Sequence, residues 1–208
     1  MHLEILDPKR KKFLSKLGLL KKYGFYMAGG TALALQIGHR TSLDFDFYTE
    51  KKFDTRKFRE GIDKKFKNIQ EIFIAEDSLE LNINGVKMSF FWYPYGLIRP
   101  AVEIEKVKFA SKEDIAAMKI LAISQRGKRR DFIDVFFLIK EFSLGQVFRF
   151  TKEKYPAFNI YVGLQGLIYF RDADNDSDKN RFTMLKKMDW GEIKKGLIKE
   201  ANNFKKFI

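Results

Sequence analysis

Residues 41–48, TSLDFDFY, alternate apolar and polar side chains, and this pattern restricts the stretch to a β-strand with two unlike faces. In such a strand the leucine and the phenylalanines face a core, which places Asp44 and Asp46 side by side on the opposite face. Two ionised carboxylates roughly 6 Å apart repel each other by about 3 kcal/mol at an effective dielectric constant of about 20. The stretch therefore predicts a positive charge next to these two aspartates.

A glycine pair precedes this strand, at the end of a short apolar strand predicted over residues 24–30. Gly29, Gly30 and Thr31 lead into a compact helix predicted over residues 31–40. Glycines let the backbone approach a ligand, and the free N–H groups of a helix start favour an anion such as a triphosphate. Thr31 either caps the helix or donates its hydroxyl group to a phosphate. A capped turn that binds no ligand is the structural alternative.

The short helix returns the chain so that the glycine turn and the acid pair can share one edge of the sheet. Paired aspartates on a strand suit a hard divalent cation, which keeps its other positions for water and substrate phosphates. A metal between carboxylates and phosphate oxygens stabilises charge in an in-line displacement. We therefore predict that Asp44 and Asp46 are catalytic metal ligands, and the alternative is two solvated acids on an edge strand.

The remaining patterns divide the chain into a strand-rich part and a helical part. Alternating runs predict a meander with Asn84 and Gly85 as a hairpin turn, and helical patterns dominate from residue 111 onward. We predict an α+β fold with a small mixed β-sheet core and flanking helices over residues 1–110, followed by a helical C-terminal lobe packed on it over residues 111–208. The other predicted strands are 71–76, 78–83, 86–93 and 102–110, and the other predicted helices are 9–23, 53–68, 111–127, 129–142, 151–168 and 189–206.

The composition favours a polyanionic partner. The 208 residues include 40 Lys and Arg against 27 Asp and Glu, a net charge of +13, and such a surface attracts nucleotides, RNA, DNA or anionic membrane. A solvated lysine-rich surface without a partner explains the charge equally well. No apolar run approaches the ~20 residues of a membrane span. There is no cysteine, so disulfides and thiolate zinc sites are excluded and a cytoplasmic protein is expected.

Three segments resemble the AbiEii/AbiGii-type nucleotidyltransferase toxins of the polymerase-beta-like nucleotidyltransferase superfamily. The superfamily signature, G-[GS]-[ST] followed by D-x-D, is matched by Gly29–Thr31 and Asp44–Asp46. The resemblance implies a magnesium-dependent enzyme that binds a nucleoside triphosphate (NTP) and transfers a nucleotide, in several relatives to the 3′ end of a tRNA. Genes of this family usually lie beside the gene of an antitoxin. The three segments are FYMAGGTALALQIGHRTSLDFDFY, SKEDIAAMKILAISQRGKRRDFIDVFFL and LIYFRDADNDSD.

The helical part supplies cations and further carboxylates. Lys119 lies in a D-x-x-x-x-K segment that matches the family's third motif, and Asp131 and Asp134 match its fourth. On a helix, Lys119 and Arg126 lie two turns apart on nearly the same stripe, with Arg130 close beyond. We predict that these three cations bind the nucleotide and that Lys119 stabilises the transition state. Asp131 is either a general base or ligand contact or a helix-stabilising acid, and Asp134 is expected to be structural, paired with Arg130.

A carboxylate that many superfamily members place on a neighbouring strand is missing from the corresponding strand here. That strand, VKMSFFWY, carries Lys87 and Ser89 on one face and no acid. Glu103 and Glu105 share a face of the next predicted strand and are the remaining candidates. No third metal ligand is therefore predicted.

Several other residues are expected to be structural. His39 is expected to cap the end of its helix or to lie beside a phosphate. The acidic run 172–178 begins like an EF-hand loop, but Ser177 replaces the required glycine, so a solvated loop is expected. Phe90 and Phe91 are expected in the core.

These features together predict a metal-dependent nucleotidyltransferase with Mg²⁺ as cofactor and an NTP as substrate. The predicted acceptor is RNA, with the tRNA 3′ end favoured, and the predicted role is the toxin of a toxin–antitoxin pair. The expected partners are thus NTP, RNA and a cognate antitoxin protein, with no membrane and a monomer as the default. The alternatives are nucleotidylation of a protein or small-molecule hydroxyl group, and a regulator that binds nucleotides without catalysis.

Overall fold

The computed structural model describes residues 1–207 and contains a seven-stranded mixed sheet. The strands are β1 Tyr26–Ala28, β2 Phe45–Thr49, β3 Ile69–Ile74, β4 Ser78–Ile83, β5 Val86–Trp92, β6 Val102–Ile104 and β7 Val107–Phe109. Their order in the sheet is β3-β4-β5-β2-β1-β7-β6. The pairs β2–β5 and β1–β7 are parallel, and the other neighbouring pairs are antiparallel.

Helices flank the sheet and make up the second half of the chain. No strand follows Phe109 within the described residues. The predicted mixed sheet with flanking helices and a helical C-terminal part is confirmed. The α-helices are α1 Pro8–Leu14, α2 Gly29–Ile37, α3 Thr55–Asp63, α4 Lys112–Gln125, α5 Arg129–Phe142, α6 Leu144–Lys154, α7 Ile160–Ile168, α8 Arg171–Asp174 and α9 Trp190–Phe204, and 3₁₀ helices span Leu3–Ile5, Leu17–Tyr23, Ser177–Asn180 and Lys205–Phe207.

Turn residues set the ends of the elements near the site. Gly38 ends α2 in the left-handed conformation with φ 62°, as its position predicts. Asn84 and Gly85 have φ of 53° and 77°, so the predicted hairpin between β4 and β5 is confirmed. The prediction of one strand over 102–110 is wrong, because Glu105 and Lys106 turn the chain with φ of 51° and 65° and separate β6 from β7.

Two predicted helices are each divided in the structure. The helix predicted over 9–23 is α1 followed by a 3₁₀ helix, Leu17–Tyr23. The helix predicted over 151–168 is interrupted between α6 and α7. Pro156 explains the second break, because proline has no N–H group and its ring clashes with the preceding turn.

The helical part packs against the strand-rich part through α2, which contacts both α4 and α5. Phe90 is completely buried, as predicted, and Phe45 and Phe47 are also core residues. Leu43 was expected to join them, but it lies before β2 and is 37% exposed, so this prediction is wrong. The division into units 1–110 and 111–208 stays a prediction, and Ile208 lies outside the described residues.

Candidate active site

A row of residues crosses four neighbouring strands on one face of the sheet. Asp46 lies opposite Ala28 of β1 on one side and opposite Ser89 of β5 on the other. Ser89 in turn lies opposite Glu80 of β4. Residues opposite each other in neighbouring strands share a face, so this row carries the carboxylates of Asp46 and Glu80 on the same surface.

Neighbouring side chains leave no room for a Cβ atom at Gly29 or Gly30. Gly29 has φ +71°, and a Cβ atom there would lie 3.0 Å from Oδ2 of Asp46. A Cβ atom on Gly30 would collide with the guanidinium group of Arg40. The turn therefore passes directly over the acid strand, which explains why both positions lack a side chain.

Thr31 fixes the backbone at Asp44, the first acid of the pair. Its hydroxyl group donates a short hydrogen bond to the carbonyl oxygen of Asp44, and its oxygen also lies 2.7 Å from the hydroxyl oxygen of Ser42. The side chain is 1% exposed. Ala28, and not Thr31, is the N-cap residue of α2, so the predicted cap is wrong. This hydroxyl group instead positions Asp44 immediately before β2.

The negative charge of Asp44 and Asp46 is only partly balanced by nearby cations. Burial and the neighbouring carboxylate of Asp44 raise the pKa of Asp46, although the charges of Arg130 and Lys119 oppose the rise. Asp44 itself lies 3.5 Å from the guanidinium group of Arg181. The protein's own cations thus only partly compensate the two carboxylates.

Lys119 on α4 faces these acids and is itself buried. Its ammonium nitrogen lies 2.6 Å from Oδ1 of Asp131 and 2.6 Å from Oδ2 of Asp134. Arg126 lies 3.5 Å from the other oxygen of Asp131, and that oxygen is buried without a hydrogen-bond partner within residues 1–207. The lysine is therefore fixed in position, and one carboxylate oxygen beside it has no donor.

Asp134 joins the helical part to the strand-rich part. Arg40 binds it with two hydrogen bonds of 2.8 Å, and Nε2 of His39 lies 2.7 Å from Oδ1 of the same carboxylate. Burial acts to raise the pKa of Asp134, but the charges of Arg40 and Lys119 hold it well below its ordinary value. The structural role predicted for Asp134 agrees with this geometry, but its partner is Arg40 and not Arg130.

His39 is also placed differently from the prediction. It is completely buried in this ion-pair network and neither caps a helix nor faces the cavity. Burial is the main cause that lowers its pKa, so the ring is neutral and donates from Nε2 to Asp134.

These groups enclose a cavity of about 280 Å³. The predicted residues Gly29, Gly30, Asp44, Asp46, Lys119, Arg126, Arg130 and Asp131 all line it. Thr31 is the predicted site residue that does not. The fold thus brings the glycine turn and acid pair of the first half against the cations of the second half. The other lining residues are Arg40, Ser42, Tyr48, Glu80, Lys87, Ser89, Phe91 and Lys128.

Glu80 and the aromatic pair Tyr48 and Phe91 were missed from the sequence. Glu80 lies on β4 and pairs with Lys87 at 2.8 Å, so a third acid of the strand-rich part lines the cavity, from one strand farther away than expected. The rings of Tyr48 and Phe91 lie 5.4 Å apart, and Phe91 is half-buried, which corrects its assignment to the core. The alternation of side chains along each strand predicts which face these three residues occupy. The order of the strands in the sheet is also needed to place them at the cavity.

The two acids considered as alternatives are far from this face. Glu103 lies on the edge strand β6, where its carboxylate binds Lys21 at 2.9 Å, and Glu105 lies in the following turn. Neither lines the cavity.

The acidic run 172–178 is not a free loop. Asp176 accepts a hydrogen bond from the backbone N–H of Arg129, and Asp178 lies 3.5 Å from Lys128. Asp174 accepts from the indole of Trp190. Most of the run is exposed, as predicted, but it is not a plain loop, because its first residues belong to α8 and its later aspartates contact the basic segment that borders the cavity.

The acid pair fits a divalent cation. The raised pKa of Asp46 shows negative charge that the protein's cations only partly compensate, whereas the Asp131 carboxylate is already paired with Lys119 and Arg126. Mg²⁺ is bound through one or two carboxylates, with water and substrate phosphates in its other positions. Residues 1–207 hold no group of three or more acidic, histidine or cysteine side chains arranged to bind a metal. Asp44 and Asp46 are the two neighbouring carboxylates that this face of the cavity presents.

In this site a glycine turn passes over an acid pair on the mixed sheet, and cations of the helical part face that pair. A nucleotidyltransferase needs a site of this kind. Residues 19–105 and 92–207 match the family described as nucleotidyl transferase AbiEii toxin, type IV TA system. The chain belongs to this family, and it is a nucleotidyltransferase of the toxin–antitoxin type.

The chain is also similar to other proteins in sequence and in structure. The uncharacterized protein aq_aa25 of Aquifex aeolicus (strain VF5) is 38% identical over 155 residues, which are 72% of this chain and 75% of the relative. JHP933 from Helicobacter pylori is similar in structure with a TM-score of 0.61 and 20% identity, covering 97% of this chain and 94% of that one. MenT4, a nucleotidyltransferase toxin from Mycobacterium tuberculosis H37Rv, has a TM-score of 0.62 and 13% identity, with 91% and 80% coverage. These two structures show the shared fold.

Within residues 1–207, no helix combines the length and the apolar character that a membrane span requires.

Proposed function

We propose that this protein is a Mg²⁺-dependent nucleotidyltransferase that moves a nucleotide from an NTP to an RNA acceptor, with the 3′ end of tRNA as the favoured target. The observation that carries the proposal is the cavity in which Gly29, Gly30 and the acid pair face Lys119, Arg126 and Arg130. An anion with several phosphates and a bound cation matches both halves of this lining.

The reaction forms one bond and breaks one. A hydroxyl oxygen of the acceptor attacks the α-phosphorus of the NTP, and the bond from that phosphorus to the oxygen bridging the β-phosphorus breaks. Pyrophosphate leaves with the electron pair, and the hydroxyl proton passes to a carboxylate. Asp131 is assigned as that carboxylate, because its Oδ2 atom is buried on the cavity without a donor.

The remaining residues position charge. Asp44 and Asp46 would hold Mg²⁺, which when bound neutralises phosphate charge and orients the phosphates for in-line attack. The backbone N–H groups at Gly29 and Gly30 bind the triphosphate, and Thr31 acts behind them by fixing Asp44. Lys119 is held by two carboxylates, so its ammonium group stabilises the departing pyrophosphate without first being reoriented.

The proposed setting follows from these substrates. NTP and tRNA are found in the cytoplasm, and a net charge of +13 favours an RNA acceptor over a neutral one. The family's toxin–antitoxin assignment supports a cognate antitoxin encoded nearby. We propose a monomer of two packed units, 1–110 and 111–208, with the active site between them.

The direct test incubates the protein with each labelled NTP, Mg²⁺ and bulk tRNA. Asp46→Asn is compared with Glu60→Gln, which neutralises an exposed acid on α3. We expect the label in a nuclease-sensitive product, a loss of about 100-fold or more in Asp46→Asn, and no change in Glu60→Gln.

Other outcomes would contradict the assignment in defined ways. A label that is sensitive to protease and resistant to nuclease would replace RNA with a protein acceptor. Mg²⁺-dependent NTP binding without transfer to any acceptor in a lysate would indicate a regulator. Transfer that survives in Asp46→Asn would exclude this cavity as the active site.

A further inference from the structure

We infer that a second cavity next to the active site binds the phosphate backbone of the RNA acceptor. This cavity, which we call the Tyr26 cavity, has a volume of about 660 Å³. Its basic lining residues are Lys21, Lys22, Lys51, Arg99 and Lys108. The inference rests on the proposed function, because it assigns a place to the acceptor of that reaction.

Tyr26 lines the cavity, and its hydroxyl group is a buried hydrogen-bond donor that the protein does not use. Tyr26 is 3% exposed, and its hydroxyl group has no partner within the described part of the chain. A buried polar group without a partner costs about 1–3 kcal/mol, so such a group is usually satisfied by water or a ligand. Burial raises the pKa of this phenol, which therefore stays protonated and able to donate. A phosphate oxygen is an acceptor that suits it.

The positive charge of the cavity is only partly neutralised. Lys21 binds Glu103 at 2.9 Å, and Arg99 forms two hydrogen bonds with Glu153. Lys51 and Lys108, in contrast, have no ion pair with any residue from 1 to 207. These two lysines are available for an anionic ligand.

The position of the Tyr26 cavity relative to the catalytic acids suits a bound strand. Tyr26 lies opposite Tyr48, and Ala28, two positions further along β1, lies opposite Asp46. Two residues of a strand span about 7 Å, so the phenol lies a short step from the reacting position. Tyr48 lines the active-site cavity, and its ring is stacked on that of Tyr26 with centroids 6.2 Å apart. The stacked rings of Tyr26 and Tyr48 therefore lie between the two cavities, which places the cavities next to each other on this face of the sheet.

The linings of the two cavities suit different substrates, the NTP in the active-site cavity and the RNA in the Tyr26 cavity. The glycine turn with its facing cations lines the smaller cavity and suits the triphosphate. The Tyr26 cavity has no acid pair for a metal but has lysines and a neutral donor, which is the chemistry of phosphodiester contacts. The larger volume agrees with a polymer that passes through.

The test compares two charge-reversed variants of equal total charge. Lys51→Glu/Lys108→Glu changes the Tyr26 cavity, and Lys195→Glu/Lys199→Glu changes exposed lysines of α9, which packs against α5, α6 and α7. Binding of fluorescently labelled bulk tRNA is measured by anisotropy over a range of salt concentrations, without turnover. Tyr26→Phe is added as a variant that keeps the ring and removes only the hydroxyl group, and thermal unfolding checks that each variant is folded.

We expect the cavity variant to bind tRNA at least about tenfold more weakly than the α9 variant, with a salt slope smaller by about 0.7 for each lysine. Tyr26→Phe should weaken tRNA binding less and should leave the salt slope unchanged, because no charge is lost. The affinity for NTP should be the same in all four proteins.

Equal tRNA affinities of the two charge-reversed variants would overturn the inference, as would a wild-type protein that does not bind tRNA at low salt. Equal weakening of NTP and tRNA binding would also overturn it, because the cavity would then belong to the nucleotide. The proposed function can fail while this inference holds. In that case tRNA binding would depend on Lys51 and Lys108, but no nucleotide would be transferred.

Discussion

At the scale of single residues, two aspartates show how surroundings decide the effect of one substitution. The pKa of Asp134 is lowered by Arg40 and Lys119, against the effect of burial, so its ionised form stabilises the folded protein. The pKa of Asp46 is raised by burial and by Asp44, so its ionised form destabilises the folded protein. Replacement by asparagine should therefore act in opposite directions at the two positions.

We expect Asp134→Asn to lower the free energy of unfolding by about 3–5 kcal/mol, because Arg40 is left buried without its counter-charge. Urea denaturation at neutral pH measures this loss. The control is Glu60→Gln, which neutralises an exposed acid on α3 and should cost less than about 1 kcal/mol. Equal losses in the two variants would contradict a stabilising role of the buried network.

The same lowered pKa predicts a pH dependence. The stabilisation by Asp134 is complete above the pKa of an unfolded aspartate, about 3.9, and is lost as the pH falls towards the lower pKa of the folded state. The difference in unfolding free energy between wild type and Asp134→Asn should therefore be constant at neutral pH and shrink below about pH 4. A difference that stays constant to pH 2 would contradict this assignment.

Asp46→Asn should raise stability by about 1 kcal/mol at pH 7 without added metal, while it abolishes transfer. The raised pKa means that the folded wild type loses stability as the pH rises from the unfolded pKa through the folded one. Thermal unfolding at several pH values measures the difference. A variant that is less stable than wild type at pH 7 would show that the acid pair is already compensated.

Gly29→Ala tests the close passage of the turn over the acid strand. It should lower stability by more than about 1 kcal/mol and reduce transfer, because its φ of +71° and the 3.0 Å approach to Asp46 both oppose a side chain. Gly145→Ala is the matched control, since its added Cβ atom would meet only Phe204 at an ordinary 3.5 Å. Equal effects of the two substitutions would argue against a strained turn.

At the scale of elements, the sequence predicts most of the strands and the face they present. β4 was predicted with its observed ends, and the alternation of 41–48 correctly grouped Asp46 with the cavity. The breaks at Pro156 and at Glu105 were missed, the latter because neither Glu105 nor Lys106 is a usual residue for positive φ. Strand order is a long-range property, so Glu80, Tyr48 and the Arg40–Asp134 pair could not be placed from local patterns.

The segment after α8 contacts the acid pair through Arg181. Arg181 lies 3.5 Å from Asp44 and is half-exposed, so it competes with a metal for the same carboxylate. Arg181→Ala should therefore increase the rise in melting temperature that Mg²⁺ produces, measured by a thermal-shift titration. Asp46→Asn should abolish that rise, and an unchanged shift in both variants would place Mg²⁺ elsewhere.

At the scale of the whole molecule, α2, α4 and α5 join the sheet to the helical part across the active site. We therefore expect both parts to unfold in one transition. Trp92 lies on β5 and Trp190 begins α9, so Trp92→Phe and Trp190→Phe each leave a reporter in one part. In each variant the fluorescence midpoint in urea should coincide with its circular-dichroism midpoint, and separate midpoints would show that 1–110 and 111–208 unfold independently.

The contacts of the buried Arg40 predict where mutations that inactivate the protein arise. Its guanidinium group supports the turn at Gly30 from below and is itself held by Asp134 of α5. A substitution that shifts α5 slightly would move this support away from Gly30. Selection for cells that survive expression of the gene should therefore recover non-toxic alleles in the interior of α5 as well as among the residues that line the cavity.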